Sequence, residues 1–293
     1  MRRLGLVVHP TRDLDDVLEE VRGWAQAHEV EVRQVLVTGQ ARRVADPSDA
    51  EACDVIVALG GDGTTLAALH AGAEASRPVL GVACGSVGML TAVHADHVSA
   101  ALEMVSEGHW HPLAIPGLDV AAGAGRHVAI NDLAVIRAGA GQLIVSITLD
   151  GALYARVAGD GLVVATPVGS SAYTMAAGGP LLAPGAEGMA VTPLAPHGGS
   201  VPPLVAGAGS EVALAVEPGF GGVRYEFDGR PVEILGHDLT VGWLPDYATL
   251  VRLADDESRL AGLRRRGLVQ DSPRVLVREG RLGELKKPVP PAR

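Results

Sequence analysis

The chain has 293 residues, of which 47% are hydrophobic, and this is enough to bury one large core or two smaller ones. A net charge of −10 and an aromatic content of 3% lack the basic surface and the stacking rings of a nucleic-acid-binding protein. The first apolar stretch ends at His9-Pro10, which is too short for a signal peptide or a membrane span, so we expect a cytoplasmic protein without a membrane partner.

The positions of the lysines and cysteines exclude several kinds of phosphate, disulfide and metal site. Lys286 and Lys287 are the only lysines and lie in a proline-rich tail, so the folded body offers no lysine to a Walker-type phosphate loop. Cys53 and Cys84 make neither a disulfide framework nor a metal cluster. Cys84 lies in a glycine-rich turn and is either a small buried hydrophobe or a reactive thiol.

Residues 1–115 alternate strand-like and helix-like patterns, and this alternation predicts an α/β nucleotide-binding domain with a parallel sheet. Ligands bind such sheets at the carboxyl ends of the strands. Two glycine-rich turns, GGDG at 60–63 and CGSVG at 84–88, follow predicted strands, so we expect them to face one crevice. The predicted strands and helices are 4–8, 14–27, 32–37, 55–59, a helix from 64, 78–83 and a helix near 96–107.

The turn at 60–63 is the most informative part of this domain. A buried strand meets a helix there through glycines, and the free N–H groups of a helix start attract phosphate. A carboxylate beside polyphosphate is unfavourable unless it binds a metal ion or accepts a proton, so Asp62 points to chemistry. The alternative is that Asp62 caps the helix that begins near Thr64.

Residues 116–250 change to short β-branched runs separated by turns, which predicts an all-β, sandwich-like C-terminal domain. Asp150-Gly151 and Asp228-Gly229 have the signature of hairpin turns, and turn chemistry alone explains both acids. We expect residues 251–285, with a polar helix at 254–267, to return to the N-terminal domain and residues 286–293 to form a disordered tail.

Three stretches of this second domain carry polar groups that point to a ligand. Asn131-Asp132 interrupts an apolar strand pattern and needs partners in the protein or in a ligand. Residues 159–180 run from a strand into a hydroxyl-rich helix start, where Asp160 can accept hydrogen bonds from sugar hydroxyls, although a structural turn explains the pattern equally well. His197 lies in a Pro/Gly loop, where solvated histidines are common.

Together, GGDGTTL, the Asn-acid pair at 131–132, DGLVVATPVGSSAYTMAAGGP at 160–180 and PLAPH at 193–197 resemble the NAD kinase family in order and spacing. GGDG alone is shared with the 6-phosphofructokinases and the diacylglycerol kinases. The resemblance implies an ATP-dependent kinase of the 2′-hydroxyl of the adenosine ribose of NAD, with a site between two domains. It also implies a homo-dimer or homo-tetramer and a Mg²⁺ ion, or another divalent cation, that is carried by ATP rather than by a protein site.

The resemblance also implies roles for single residues. Asp62 would be the catalytic residue that accepts the hydroxyl proton, with Gly63 beside the substrate. The positions expected near the ATP phosphates are Gly60, Gly61 and Thr64. The positions expected to hold NAD are Asn131, Asp132, Asp160, Ser171, Ala172, Tyr173 and Thr174, with Arg230 as a further charge for a phosphate.

The chain departs from the family at several of these contacts. Ala83 stands where the family usually has Asn, Val168 where it has Thr or Ser, Ala176 where it has Ser, and Ala158 where it has a basic residue. These changes put the substrate preference in doubt rather than the reaction class.

Four other functions compete with this interpretation. The same turn occurs in lipid and sugar kinases, and a non-catalytic NAD(H) sensor would keep the pocket without turnover. Ser171 and His197 would be the pair of a serine hydrolase, although GSSAY lacks the second glycine of the usual elbow. His109 and His111 would be metal ligands, but no third ligand lies nearby in the sequence.

Overall fold

A computed structural model describes residues 1–39, 42–253 and 259–281. The predicted tail at 286–293 and the start of the predicted helix at 254 lie outside these residues. Within the described chain, no helix is both long and apolar enough to cross a membrane.

The N-terminal part forms a parallel sheet with helices packed against it, as the sequence predicts. Strand β4 lies between β1 and β5, and β2 and β3 extend the sheet beyond β1. The elements are β1 (Arg3–Val8), α1 (Asp15–Ala27), β2 (Glu31–Val35), β3 (Pro47–Ser48), β4 (Val55–Gly60), α2 (Asp62–Ala75), β5 (Val79–Ala83), β6 (Val93–His94) and α3 (Val98–Ser106).

Hydrophobic patterning explains these elements. All six residues of β4 are buried, as expected of a central parallel strand that is covered on both faces. Helix α1 is amphipathic and buries one stripe of side chains against the core. That stripe consists of Val17, Leu18, Val21, Trp24 and Ala25.

The second part is built from antiparallel strands in two layers, and the predicted fold class is confirmed. Apolar side chains from both sheets form one shared core, which makes this part sandwich-like. The elements are β7 (His111–Ala122), β8 (Gly125–Ala129), β9 (Asp132–Arg137), β10 (Leu143–Leu149), β11 (Ala152–Gly159), β12 (Gly161–Ala165), α4 (Tyr173–Ala176), β13 (Gly188–Leu194), β14 (Leu204–Gly207), β15 (Val212–Glu217), β16 (Val223–Phe227), β17 (Arg230–Val232) and β18 (Asp238–Arg252). The final helices are α5 (Arg259–Arg265) and α6 (Pro273–Arg278).

One of the two sheets continues into the N-terminal part. Strand β18 pairs with β7 and β15 in antiparallel fashion, while Leu250 near its end pairs with Val79 of β5 in parallel. The described strands therefore form a 12-stranded sheet shared by both parts and a separate 6-stranded sheet, β14-β13-β12-β9-β16-β17. The sequence patterns predict parallel strands in the first part and antiparallel strands in the second. They do not predict that one sheet runs through both parts, because this depends on how β18 pairs with distant strands, and its register shifts between Leu244 and Ala248.

Both predicted Asp-Gly hairpin turns are present. Asp150 and Gly151 have φ values of 48° and 80°, and Asp228 and Gly229 have values of 53° and 73°. Positive φ at both central residues matches the type I′ turn that Asp-Gly favours. The turns join β10 to β11 and β16 to β17.

Candidate active site

The glycine turn joins the end of β4 to the start of α2. Gly61 is the N-cap of the helix and has an extended backbone. A Cβ atom on Gly60 would come within 2.2 Å of the Thr64 hydroxyl, so only glycine fits there. Gly63 is exposed and has open space around it, whereas the Thr64 side chain is 7% exposed. The helix start therefore presents backbone N–H groups and a positive dipole end to an anion.

Asp62 is the first residue of α2, and its side chain turns toward the second glycine-rich loop. Its carboxylate accepts hydrogen bonds from the backbone N–H groups of Met89 and Leu90, both at 2.9 Å. The alternative interpretation of Asp62 as a helix cap is wrong, because Gly61 occupies the N-cap position. A Cβ on Gly88 would lie 2.0 Å from Asp62 Oδ1, so this loop approaches as closely as glycine allows. The two glycine-rich turns face each other, as expected.

Arginines surround this glycine turn although no lysine does so among the described residues. Arg12 donates from Nη1 to the Cys84 carbonyl at 2.8 Å, and the Cys84 N–H donates to the Gly60 carbonyl at 2.7 Å. From the C-terminal segment, Arg266 Nη1 lies 3.7 Å from Asp62 Oδ2. Burial raises the pKa of the half-buried Cys84 thiol to about 11, which favours the interpretation of Cys84 as a small hydrophobe over that of a reactive thiol.

Asp228 organises the segment that contains Asn131 and Asp132. Its carboxylate is 4% exposed and accepts hydrogen bonds from the backbone N–H groups of Ile130, Asn131 and Asp132 at 3.0, 2.6 and 3.2 Å. The Asp228 N–H in turn donates to the Asp132 carbonyl at 2.9 Å. Turn chemistry alone therefore does not account for Asp228, in contrast to the prediction.

Helix α2 reaches this segment through His70, about two helical turns after Asp62. His70 Nε2 lies 2.7 Å from Asp228 Oδ2, and its Nδ1 lies 3.1 Å from the Tyr247 hydroxyl. The helix that carries Asp62 is thus in polar contact with the hairpin turn that holds Asn131 and Asp132. No sequence signal marks His70, because a histidine on a helix is most often structural or solvated.

The side chain of Asp132 lies in a poor environment for a negative charge. The residue is 6% exposed, and no hydrogen bond to its carboxyl is formed by the described residues. Burial, followed by the nearby charges of Asp228 and then Glu226, raises the pKa of Asp132 to about 7. This carboxyl therefore keeps its proton to a higher pH than a solvated aspartate does, and the described residues offer it no hydrogen bond.

A cavity of about 510 Å³ opens beside β9 and β12, within the size range of small-molecule sites. Asp160 lies in its wall, where Arg137 donates from Nε to Asp160 Oδ1 at 2.6 Å. Burial, followed by the charge of Glu226, raises the pKa of the Tyr173 hydroxyl, so this group stays a neutral donor at physiological pH. Asp160 and Tyr173 are thus brought to one cavity.

The other residues of the hydroxyl-rich segment differ in how exposed they are. Gly169 packs so tightly that a Cβ would come within 2.0 Å of the Asn131 carbonyl, so the segment lies against the Asn131 turn. Ser171 and Ala172 are partly or fully exposed beside it, and Ser171 donates to the Val168 carbonyl at 3.3 Å. Thr174 is 0% exposed, and its hydroxyl has no hydrogen-bond partner among the described residues.

Arg230 occupies the start of β17 with an exposed side chain, two residues after Asp228. The structure assigns it no contact with the cavity that contains Asp160.

Two competing functions have no supporting geometry. His197 Nδ1 lies 2.8 Å from Gln142 Oε1 while the Ser171 hydroxyl donates to a backbone carbonyl, so the two do not form a nucleophile-base pair. His109, one of the two histidines considered as metal ligands, has its Nδ1 atom 3.1 Å from Glu107 Oε2. Within residues 1–39, 42–253 and 259–281, no group of three or more His, Cys, Asp or Glu side chains is arranged to hold a metal ion.

Two family models match the chain in sequence. Residues 4–110 match the ATP-NAD kinase N-terminal domain, and residues 130–240 match the ATP-NAD kinase C-terminal domain. An NAD kinase from Thermomicrobium roseum is 36% identical over 202 residues, which cover 67% of this chain and 67% of the relative.

Solved structures resemble the chain over most of its length. An NAD kinase from Archaeoglobus fulgidus in complex with ATP has a TM-score of 0.71 and 26% identity, and the match covers 90% of this chain and 97% of that one. A yeast NADH kinase complexed with NADH has a TM-score of 0.74 at 21% identity, covering 93% and 89% of the two chains, which shows a shared fold.

Proposed function

The chain belongs to the ATP-NAD kinase family, and from that premise we propose that Asp62 accepts the proton of the ribose 2′-hydroxyl as the terminal phosphate of ATP is transferred to NAD. The reaction is phosphoryl transfer to an alcohol group, and its product is NADP. Transfers of this kind are catalysed mainly by positioning and electrostatics, without a covalent enzyme intermediate.

The position of the Asp62 carboxylate is the observation that carries this proposal. It lies at the start of α2, beside the N–H groups that suit phosphate, and faces the loop that contains Met89 and Leu90. Each of its oxygens accepts one backbone hydrogen bond, which leaves lone pairs free because an ionised carboxylate has about four acceptor sites. Asp62 can therefore accept a hydroxyl proton without first breaking its contacts to the loop.

We propose that the triphosphate lies over the glycine turn, against Gly60, Gly61 and Thr64. The backbone N–H groups of the helix start supply hydrogen bonds there, and Arg12 and Arg266 supply positive charge. In this arrangement, arginine side chains and backbone dipoles bind the phosphates, which is the role that a lysine has in a Walker-type loop.

We propose that Mg²⁺ enters with ATP. The described residues offer Asp62 but no cluster of three ligands, and this fits an ion that keeps several waters and binds mainly to phosphate oxygens. When bound, the ion neutralises charge on the transferring phosphoryl group.

We propose that NAD lies along Gly63, Asn131, Asp132 and the cavity that contains Asp160 and Tyr173. The buried Asp132 carboxyl, to which the described residues form no hydrogen bond, supports this, because such a group gains a partner when a ribose hydroxyl binds. Ser171, Ala172 and Arg230, which are half-buried or exposed, would contact NAD from solvent-facing positions.

We also propose a homo-oligomer. The edge strand β11 exposes Leu153 and Tyr154, whose side chains are 63% and 38% exposed, and a partner subunit would cover them. Light scattering of the purified protein is expected to give a multiple of the monomer mass, and a monomer at all concentrations would contradict this proposal.

One assay tests the proposed reaction. Purified protein is incubated with Mg-ATP and NAD, and NADP is detected with an NADP-specific dehydrogenase. Formation of NADP in proportion to enzyme and time is the expected result. NAD binding without NADP would instead support the sensor, and phosphorylation of diacylglycerol or a sugar phosphate but not of NAD would support the other kinases.

A further inference from the structure

His70 and Asp228 connect the two halves of the active site. His70 is on α2, the helix whose first residue is Asp62, and Asp228 is in the turn between β16 and β17. The two side chains meet at 2.7 Å, and they are 28% and 4% exposed. A contact this short, with one partner fully enclosed, fixes the distance between helix and turn.

The Asp228 carboxylate does more than pair with His70. It gathers three consecutive backbone N–H groups at the entry to β9, and the Asp228 N–H returns a bond to the Asp132 carbonyl. Carboxylates that accept several backbone hydrogen bonds hold a local conformation firmly. The positions of Asn131 and Asp132 are therefore set by Asp228.

Apolar packing alone would not fix this alignment. Leu66 and Leu69 of α2 belong to the same hydrophobic cluster as Ile130 and Val168, so the helix and the 130–132 segment are already held together. Hydrophobic contact is non-directional, whereas a charge-assisted hydrogen bond demands a defined distance and angle. Buried polar pairs of this kind add specificity of arrangement rather than stability.

We propose that His70 and Asp228 are positioning residues that align Asp62 with the ribose of bound NAD. The inference deepens the proposed function and rests on it, since the alignment matters only if Asp62 acts on a ribose held by Asn131 and Asp132. Neither residue touches the reacting atoms. Their loss misplaces the hydroxyl relative to Asp62, which lowers kcat, and loosens the 130–132 segment, which raises KM for NAD.

Variants of His70 separate alignment from packing. In His70→Gln the side-chain nitrogen replaces Nε2 and keeps the bond to Asp228, whereas His70→Leu keeps the volume and loses the bond. We expect His70→Leu to raise KM for NAD and to lower kcat by about tenfold or more each, with KM for ATP changed less than twofold; misplacement by about 1 Å costs up to 10²-fold in rate. His70→Gln is expected to recover most of both losses.

Asp150→Asn is the matched control for Asp228→Asn. Asp150 is also the first residue of an Asp-Gly hairpin turn, and its carboxylate also accepts a backbone N–H, from Glu211 at 2.8 Å. The proposal predicts that Asp228→Asn weakens NAD binding in calorimetric titrations while Asp150→Asn does not. If Asp228→Asn binds NAD as tightly as Asp150→Asn does, the proposal is overturned.

The kinetics of the His70 variants also test the proposal. Equal losses for NAD and ATP in His70→Leu, or no recovery in His70→Gln, would reduce the pair to a structural role and overturn the proposal. Calorimetric NAD binding does not depend on phosphoryl transfer, so it also separates this inference from the proposed function. If Asp62→Asn keeps full turnover while His70→Leu weakens NAD binding alone, the role of Asp62 fails and the role of the pair in holding NAD survives.

Discussion

Replacing Asp132 with Asn should stabilise the protein at neutral and alkaline pH. Asp132 is buried beside Asp228 and Glu226, and its pKa is raised from 3.8 to about 7. Above that value the folded protein contains a buried carboxylate that its surroundings do not stabilise. Asn has nearly the same shape and no charge, so Asp132→Asn removes this cost and little else.

The sign of the pH dependence follows from where the proton is bound. Between pH 3.8 and about 7, the folded protein keeps a proton on Asp132 that the unfolded chain has released. The free energy of unfolding of the wild type therefore falls as pH rises through this window. Below it, Asp132 is neutral in both states, and above it the full cost is present. A difference between 3.8 and about 7 corresponds to about 4 kcal/mol.

Chemical denaturation of both proteins at several pH values measures this difference. The stability of Asp132→Asn relative to wild type should rise from pH 4 to pH 7 by several kcal/mol, with about 4 kcal/mol as the upper limit, and then stay level. Asp150→Asn serves as the control and should show no such rise, because Asp150 lies in an exposed turn. A flat difference for Asp132→Asn would refute the claim that its environment disfavours the charge.

Three further predictions concern the site. Gly88→Ala places a Cβ 2.0 Å from Asp62 Oδ1 and should lower kcat by about 10²-fold. Gly23→Ala is the control, because Gly23 has open space around it, and it should not change kcat. Equal rates for the two variants would contradict the close approach of the Gly88 loop to Asp62. Asp160→Ala should weaken NAD binding in calorimetric titrations far more than ATP binding, and equal losses would argue against its place in the NAD site. Cys84 should react slowly with iodoacetamide at pH 8, because with a pKa of about 11 only about one thiol in a thousand is ionised; labelling as fast as free cysteine would contradict the raised pKa.

The sequence predicts the fold class well because the periodic signals are strong. The buried run of β4, the amphipathic pattern of α1 and the Asp-Gly turns each specify their local structure. The path of β18 is not predictable in the same way. Its pairing with both β7 and β5 depends on contacts between residues far apart in the chain, and Pro245 falls where its register shifts.

The site residues can be predicted where a motif determines the local backbone conformation. They cannot be predicted where contacts between distant residues determine the role of a side chain. GGDG marks Asp62 because a carboxylate in a turn suited to phosphate is unfavourable unless it binds a metal ion or accepts a proton. Asp228 looks like an ordinary turn residue, since Asp-Gly has a sufficient local explanation. Its second role depends on His70, 158 residues away in the sequence, and no local pattern records that contact. Thr174 illustrates the converse, because its place in a motif does not reveal that its side chain is buried.

The rate of a single turnover tests the role of Asp62 most directly. With NAD and ATP saturating, Asp62→Asn should form NADP about 10²- to 10⁴-fold more slowly than wild type, while its dissociation constant for NAD changes little. Asp54→Asn is the matched control, because the carboxylate of Asp54 also accepts two backbone N–H groups, from Arg2 and Arg3, far from the site. An Asp62→Asn protein that turns over as fast as Asp54→Asn would contradict the account.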